Sequence, residues 1–249
     1  MEFLLRCSLL FGVFGRLGDG KTLALTYLTF EHWFKRRERI CSNYHLFKIP
    51  YYYIHGINQL NFPKGTKENP WWMAVDELWR IIKARTPMLK QNDIVYDILG
   101  RSRKRSVQWA FSSQLKNSMD KLVVDVLDFI SKPTLTPDNA LCRLDIFAGA
   151  KASAASLVNS VRFWTYPFMK CYDDEEEVDL EPVVEGDPRL IFQPNFNREH
   201  GYCCECEECG TKFFKDWAAC DLWATQWWET HWKEVFDEKL LQKSIEGEE

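Results

Sequence analysis

Hydrophobic and polar positions fall in blocks along this chain. The apolar run SLLFGVF at 8–14 ends in a glycine-rich stretch, and residues 21–37 carry an amphipathic, helix-permissive pattern. Such a run followed by a helical period reads as buried strand, loop and helix. RICSN at 39–43 predicts a second short strand, whereas the tyrosine-rich stretch 44–60, with Pro50 and Gly56, predicts short strands or irregular structure. After the loop 61–70, the run WWMAV at 71–75 closes in Asp76 and Glu77, the pattern of a central buried strand with acids at its C-terminal end. Helices are expected over 77–84 and 93–103, separated by Pro87, and the next strand over 106–111, ending in Ser112, Ser113 and Gln114. Further strands are expected over 123–130 and 144–147, with a strand pair over 161–172. The acidic run 173–177 and Pro182, Pro188 and Pro194 place the end of the core near residue 195. Strands alternating with helices imply an α/β fold, a mostly parallel central sheet covered on both faces. The chain divides accordingly into a domain over 1–195 and a Cys- and Trp-rich extension over 196–249.

Composition narrows this picture. With 249 residues, 46% of them hydrophobic, the chain can bury one α/β core of ordinary size. A formal net charge of -4 argues against a surface coated in positive charge, while leaving room for a local basic patch. The opening stretch MEFLLRCSLLFGVFG is interrupted by Arg6 and runs into glycine-rich sequence, so it reads as a strand and not as a leader. No apolar run approaches the roughly 18–20 residues that cross a bilayer. Nine cysteines without an export signal point to a reducing compartment. The eleven tryptophans crowd around 71–79 and 217–232, which points to aromatic packing or a contact surface.

The chemistry begins at Gly15-Arg16-Leu17-Gly18-Asp19-Gly20-Lys21-Thr22, which fits G-x-x-x-x-G-K-[ST] with a strand before it and a helix after it. Glycines let successive backbone N–H groups turn toward a β-phosphate, and the helix offers its positive end to the same anion. Lys21 is then expected to neutralise phosphate oxygens and Thr22 to ligate Mg²⁺, so the expected cofactors are ATP and Mg²⁺. Asp76 is expected to hold the metal with Thr22, and Glu77 to polarise an attacking water. Gln114, at the end of the next strand, is a candidate γ-phosphate sensor. The turn Arg101-Ser102-Arg103-Lys104-Arg105 reads as a solvated basic turn, a DNA-phosphate contact, or the source of an arginine for a neighbouring subunit's γ-phosphate.

The order GRLGDGKT, ICSNYHL, WWMAVDE and an arginine-bearing turn leading to AFSSQ resembles the additional-strand branch of P-loop ATPases that includes the FtsK and HerA DNA pumps. Within it the chain is most similar to viral genome-packaging ATPases and to the Zot-like proteins of filamentous phages. Ser42-Asn43 and the segment Tyr172–Glu176 resemble short Zot-like segments. The resemblance implies a three-layer, RecA-like P-loop NTPase fold, with the roles above carried by Lys21, Thr22, Asp76, Glu77 and Gln114 and with Arg103 at the arginine finger. It implies a homo-oligomeric ring, a hexamer or pentamer, acting on double-stranded DNA with a capsid or membrane-protein partner. That places the protein in the host cytoplasm or at the packaging vertex of the virion. The implied function is an ATP-hydrolysing, DNA-translocating packaging motor. A Zot-like ATPase of virion morphogenesis or extrusion and a regulatory nucleotide-binding protein or kinase stay as alternatives. Zot-like proteins continue into a transmembrane segment, for which this sequence shows no counterpart, and that shifts weight to the motors. Lys83, Arg85, Lys90 and Arg105 are candidates to contact DNA.

In the extension, Cys203, Cys206 and Cys209 repeat C-x-x-C in overlap, and Cys206 to Cys209 resembles the first knuckle of a zinc finger. Cys220 and His231 downstream complete one ligand set for Zn²⁺, and a cluster of reduced, partly buried thiols is the equal alternative. The Trp-rich segment after it predicts a helix whose apolar face packs on the core or docks a partner.

Overall fold

Five consecutive buried residues, Leu10–Phe14, form strand β1, and the chain leaves it through a loop into helix α1 (Lys21–Arg36). The computed structural model describes residues 9–61, 63–80, 90–114, 121–149, 152–178, 191–193, 196–197, 201–202 and 217–235. In chain order there follow β2 (Arg39–Ser42), β3 (Tyr51–Tyr53), β4 (Trp71–Val75), α2 (Lys90–Ser102), β5 (Val107–Ser113), α3 (Lys121–Asp125), β6 (Phe129–Leu135), β7 (Leu141–Ala148), β8 (Leu157–Trp164), α4 (Tyr166–Met169) and β9 (Ile191–Gln193). A small antiparallel pair, β10 (Phe196–Asn197) and β11 (Gly201–Tyr202), stands apart from the main sheet, and α5 (Trp217–Val235) follows.

The main sheet has nine strands in the order β8-β7-β6-β1-β5-β4-β2-β3-β9. From β6 to β3 the pairings are parallel, and the two flanks, β6-β7-β8 and β3-β9, are antiparallel. Strand β5 lies between β1 and β4, so one strand separates the loop-bearing strand from the acid-bearing strand. This is the additional strand that the motif order implied.

Both sheet faces are buried, which is why the central strands read as unbroken apolar runs. Along β4, Trp72 and Ala74 join one core while Met73 and Val75 join the other. The first core is covered by α1, α4 and α5, through Phe30, Trp33, Phe168 and Trp228. The second is covered by α2 and α3, through Val95, Ile98, Leu99 and Val123. These are the three layers expected.

Some expected elements differ. The run over 123–130 splits into α3 and the start of β6, because Val123 and Val124 are buried against the second core from a helical turn and Leu127 from the link after it. The expected strand pair over 161–172 is one strand and one helical turn: β8 stops at Trp164, and Pro167, which lacks the N–H a ladder needs, sits in the first turn of α4. The helix expected from Glu77 begins as a single 3-10 turn at Leu78–Arg80, and 81–84 lies outside the described residues. A further strand inside the expected 1–195 core, β9, had no counterpart in the expected elements and adds antiparallel to β3.

Candidate functional site

At the end of β1 the chain turns over Gly15–Gly20, where Gly18 and Gly20 have φ of 85° and 81°. That region is open to glycine and strained for other residues. A side chain at Gly20 would also press on Leu135 at 3.3 Å. Asp19 Oδ2 accepts the Arg16 backbone N–H at 2.5 Å, and Lys21 Nζ donates to the Arg16 carbonyl at 3.1 Å. No side chain caps the start of α1, and its first turn carries no acid. Its N–H groups and the positive end of its dipole are therefore available to an anion.

Across the sheet edge, β4 delivers Asp76, which is 6% exposed. Asn43, at the end of β2, clamps its backbone: Oδ1 accepts the Asp76 N–H at 2.7 Å and Nδ2 donates to the Asp76 carbonyl at 3.0 Å. Thr22 Oγ1 donates to Asp76 Oδ2 at 2.9 Å, and Ser112 Oγ donates to Oδ1. Burial pushes the Asp76 pKa above the ordinary aspartate value, and the hydrogen bonds from Ser112 and Thr22 oppose that rise. A buried carboxylate beside a threonine hydroxyl is an all-oxygen donor pair suited to a hard divalent cation such as Mg²⁺.

Glu77 follows in a left-handed conformation, φ 52°, a backbone that costs a residue other than glycine about 1–3 kcal/mol. Its N–H donates to Ser112 Oγ at 3.0 Å, its carbonyl accepts the Arg80 N–H at 2.9 Å, and its Oε2 accepts the Trp79 indole N–H. Gln114 lies just beyond β5, where β5 ends beside β1. Lys21, Thr22, Asp76, Glu77 and Gln114 line one cleft of about 440 Å³ with Gly18 and Gly20 of the loop. A strand-loop-helix phosphate cradle, an acid-bearing strand beyond one intervening strand, and a three-layer parallel core define the architecture. The fold is that of a P-loop NTPase.

No family model and no curated protein matches the chain. Solved structures of similar shape include the N-terminal domain of zonular occludens toxin from Neisseria meningitidis, at 18% identity and TM-score 0.49, covering 67% of this chain and 100% of that one. The DNA-packaging ATPase B204 of Sulfolobus turreted icosahedral virus is 13% identical at TM-score 0.45, covering 63% of this chain and 98% of its own. The genome packaging NTPase B204 from Sulfolobus turreted icosahedral virus 2, in complex with ATP-gammaS, is 10% identical at TM-score 0.43, covering 71% and 98%. The strand order and the loop carry the fold assignment.

The remaining expected residues are dispersed. Arg103 Nη2 pairs with Asp128, and Arg105 bonds to Asn61. Both arginines precede β5, whereas Gln114 follows it, so a seven-residue strand of about 20 Å separates them from the cleft. Cys203, Cys204, Cys206 and Cys209, with Lys83 and Arg85, lie outside the described residues, as do the side chains of Lys90 and His231. Cys220 is buried on α5, and no group of three or more His, Cys, Asp or Glu side chains suited to a metal is found among the described residues. No helix among them is long and apolar enough to cross a membrane.

Sequence reasoning missed several contributors. Arg80 and the segment 172–178 line the cleft mouth, with Glu176 accepting both the backbone N–H and Nδ1 of His45 at 2.7 Å. That acidic run entered the sequence reading only as one of the signs that the core ends near residue 195 and as part of a segment resembling Zot-like proteins, with no role at the cleft. Asn43 was singled out only within the Ser42-Asn43 resemblance to a Zot-like segment and Ser112 only as a strand end, and neither carried a catalytic signature, since polar residues at strand ends are common.

Proposed function

We propose that this chain is an ATP-hydrolysing motor that translocates double-stranded DNA, a packaging ATPase acting as a ring with nucleotide bound between subunits. The convergence of Lys21, Thr22, Asp76, Glu77 and Gln114 on one cleft supports the hydrolytic part. The proposed reaction is in-line attack of water on the γ-phosphate. In it the N-terminus of α1 and Lys21 bind the phosphates, Glu77 orients the water, and Gln114 hydrogen-bonds the γ-phosphate. Thr22 and Asp76 would hold Mg²⁺, which supplies charge neutralisation at the β- and γ-oxygens. Arg103 of a neighbouring subunit would stabilise the charge that develops in the transition state. Translocation of DNA is carried by the order of motifs and their resemblance to packaging motors.

The test is ATP hydrolysis by the full chain with and without duplex DNA. The expected result is hydrolysis stimulated by DNA and reduced at least about 100-fold in Lys21→Ala and Glu77→Gln. Hydrolysis indifferent to DNA overturns the motor and favours the morphogenesis reading.

A further inference from the structure

The Glu77 carboxylate is held by one side chain that stands outside the cleft. Trp79 Nε1 donates to Glu77 Oε2, while Glu77 Oε1 accepts no hydrogen bond among the described residues. Trp79 is half-buried, packed against the second core beside Leu78, which is fully buried. The indole is therefore anchored by its apolar body, and its N–H meets an acceptor, as an indole N–H in a packed setting requires. The Glu77 backbone is set by two further bonds: its N–H donates to Ser112 Oγ on one side and its carbonyl accepts the Arg80 N–H on the other, while Ser112 Oγ in turn donates to Asp76. Those contacts fix where the Glu77 Cα sits. The side chain itself is bonded by Trp79.

We infer that Trp79 is a positioning residue for the water-orienting group: it holds Oε2 of Glu77 so that Oε1 faces the cleft. A carboxylate has room for about four hydrogen bonds, so the indole takes one oxygen and leaves the other for water. This inference rests on the hydrolytic role proposed for Glu77. Because Trp79 is absent from the cleft wall, it acts on the rate through Glu77 and not through nucleotide binding.

The experiment is a double-mutant cycle on the full chain, reading single-turnover hydrolysis of Mg-ATP and its Kd for wild type, Trp79→Phe, Glu77→Gln and the double variant. Trp79→Phe keeps the ring and removes the N–H. The rate is expected to fall about tenfold with Kd unchanged, because loss of alignment costs rate while leaving binding intact. In the Glu77→Gln background the same change is expected to cost nothing further. An unchanged rate in Trp79→Phe, or an equal fall in both backgrounds, overturns the inference. Unimpaired hydrolysis in Glu77→Gln overturns the role of Glu77 and this inference together, which separates that failure from the first. Trp79→His restores a ring N–H. A rate between those of Trp79→Phe and wild type supports the assignment, and a rate at or below that of Trp79→Phe counts against it.

Discussion

Asp76 is held from two sides, its backbone by Asn43 and its carboxylate oxygens by Thr22 and Ser112. Burial nevertheless raises its pKa, so the charged form is costly while no cation shares the site. The sign follows from linkage: with the folded value above the unfolded one, the stabilising contribution is full below the ordinary aspartate value and is lost as pH rises through the raised one. At neutral pH the carboxylate is therefore a burden on the metal-free fold. Asp76→Asn is expected to raise Tm in metal-free buffer. Adding Mg²⁺ should raise the Tm of wild type and leave that of the variant unmoved, as thermal melts with and without the ion will show. Equal Mg²⁺ gains in both proteins would remove Asp76 from the metal site. Asp76 itself was legible as an acid closing an apolar strand. Asn43 and Ser112 were not, because they stand 33 and 36 positions away and meet it only through strand pairing.

Among the elements, α5 departs most from what its position in the chain implies. Its Trp228 is 1% exposed, lies 4.4 Å from the Phe30 ring by centroids, and donates its indole N–H to the Lys48 carbonyl at 3.0 Å. Asp221 accepts the Trp33 indole N–H at 2.6 Å, so α1 and α5 are tied by polar as well as apolar contact. Trp228→Ala is expected to cost about 3–5 kcal/mol, the range for truncating a buried tryptophan. That lowers Tm by roughly 10 °C. Leu222→Ala, at a position 61% exposed, should stay within about 0.5 kcal/mol. If Trp228→Ala melts like Leu222→Ala, the helix is an appendage and not a wall of the core. The helix was expected from its apolar spacing, and so was packing on the core as one of its two fates. Which fate holds depends on an aromatic surface presented by α1 and α4, nearly 200 residues earlier and some 60 earlier respectively, as the contacts of Trp228 with Phe30 and Phe168 show.

For the whole molecule, the decisive distance is the one between Arg103 and the cleft. Lying before β5 while Gln114 follows it, Arg103 serves a nucleotide only if that nucleotide belongs to another copy of the chain. In the proposed ring such contacts would be head-to-tail, closing where the rotation between copies closes. Lys21→Ala and Arg103→Ala should each be inactive alone. Mixed one to one, they should recover hydrolysis at about one interface in four, since that fraction pairs an intact Lys21 with an intact Arg103. ATPase assays on mixed rings check this, and absence of recovery would remove Arg103 from a trans role. The sequence by itself determined the phosphate loop, the acid-bearing strand and the three-layer α/β class, because these are written in local spacing: glycines where φ turns positive, apolar runs where both faces are covered. Tertiary structure alone decided that the acidic run 173–177 borders the cleft and that α5 closes the first core, and it gave the implied additional strand its place as β5, between β1 and β4. Those outcomes depend on hydrogen bonds and buried contacts between distant segments, and local periodicity reports that a residue is buried without saying against what.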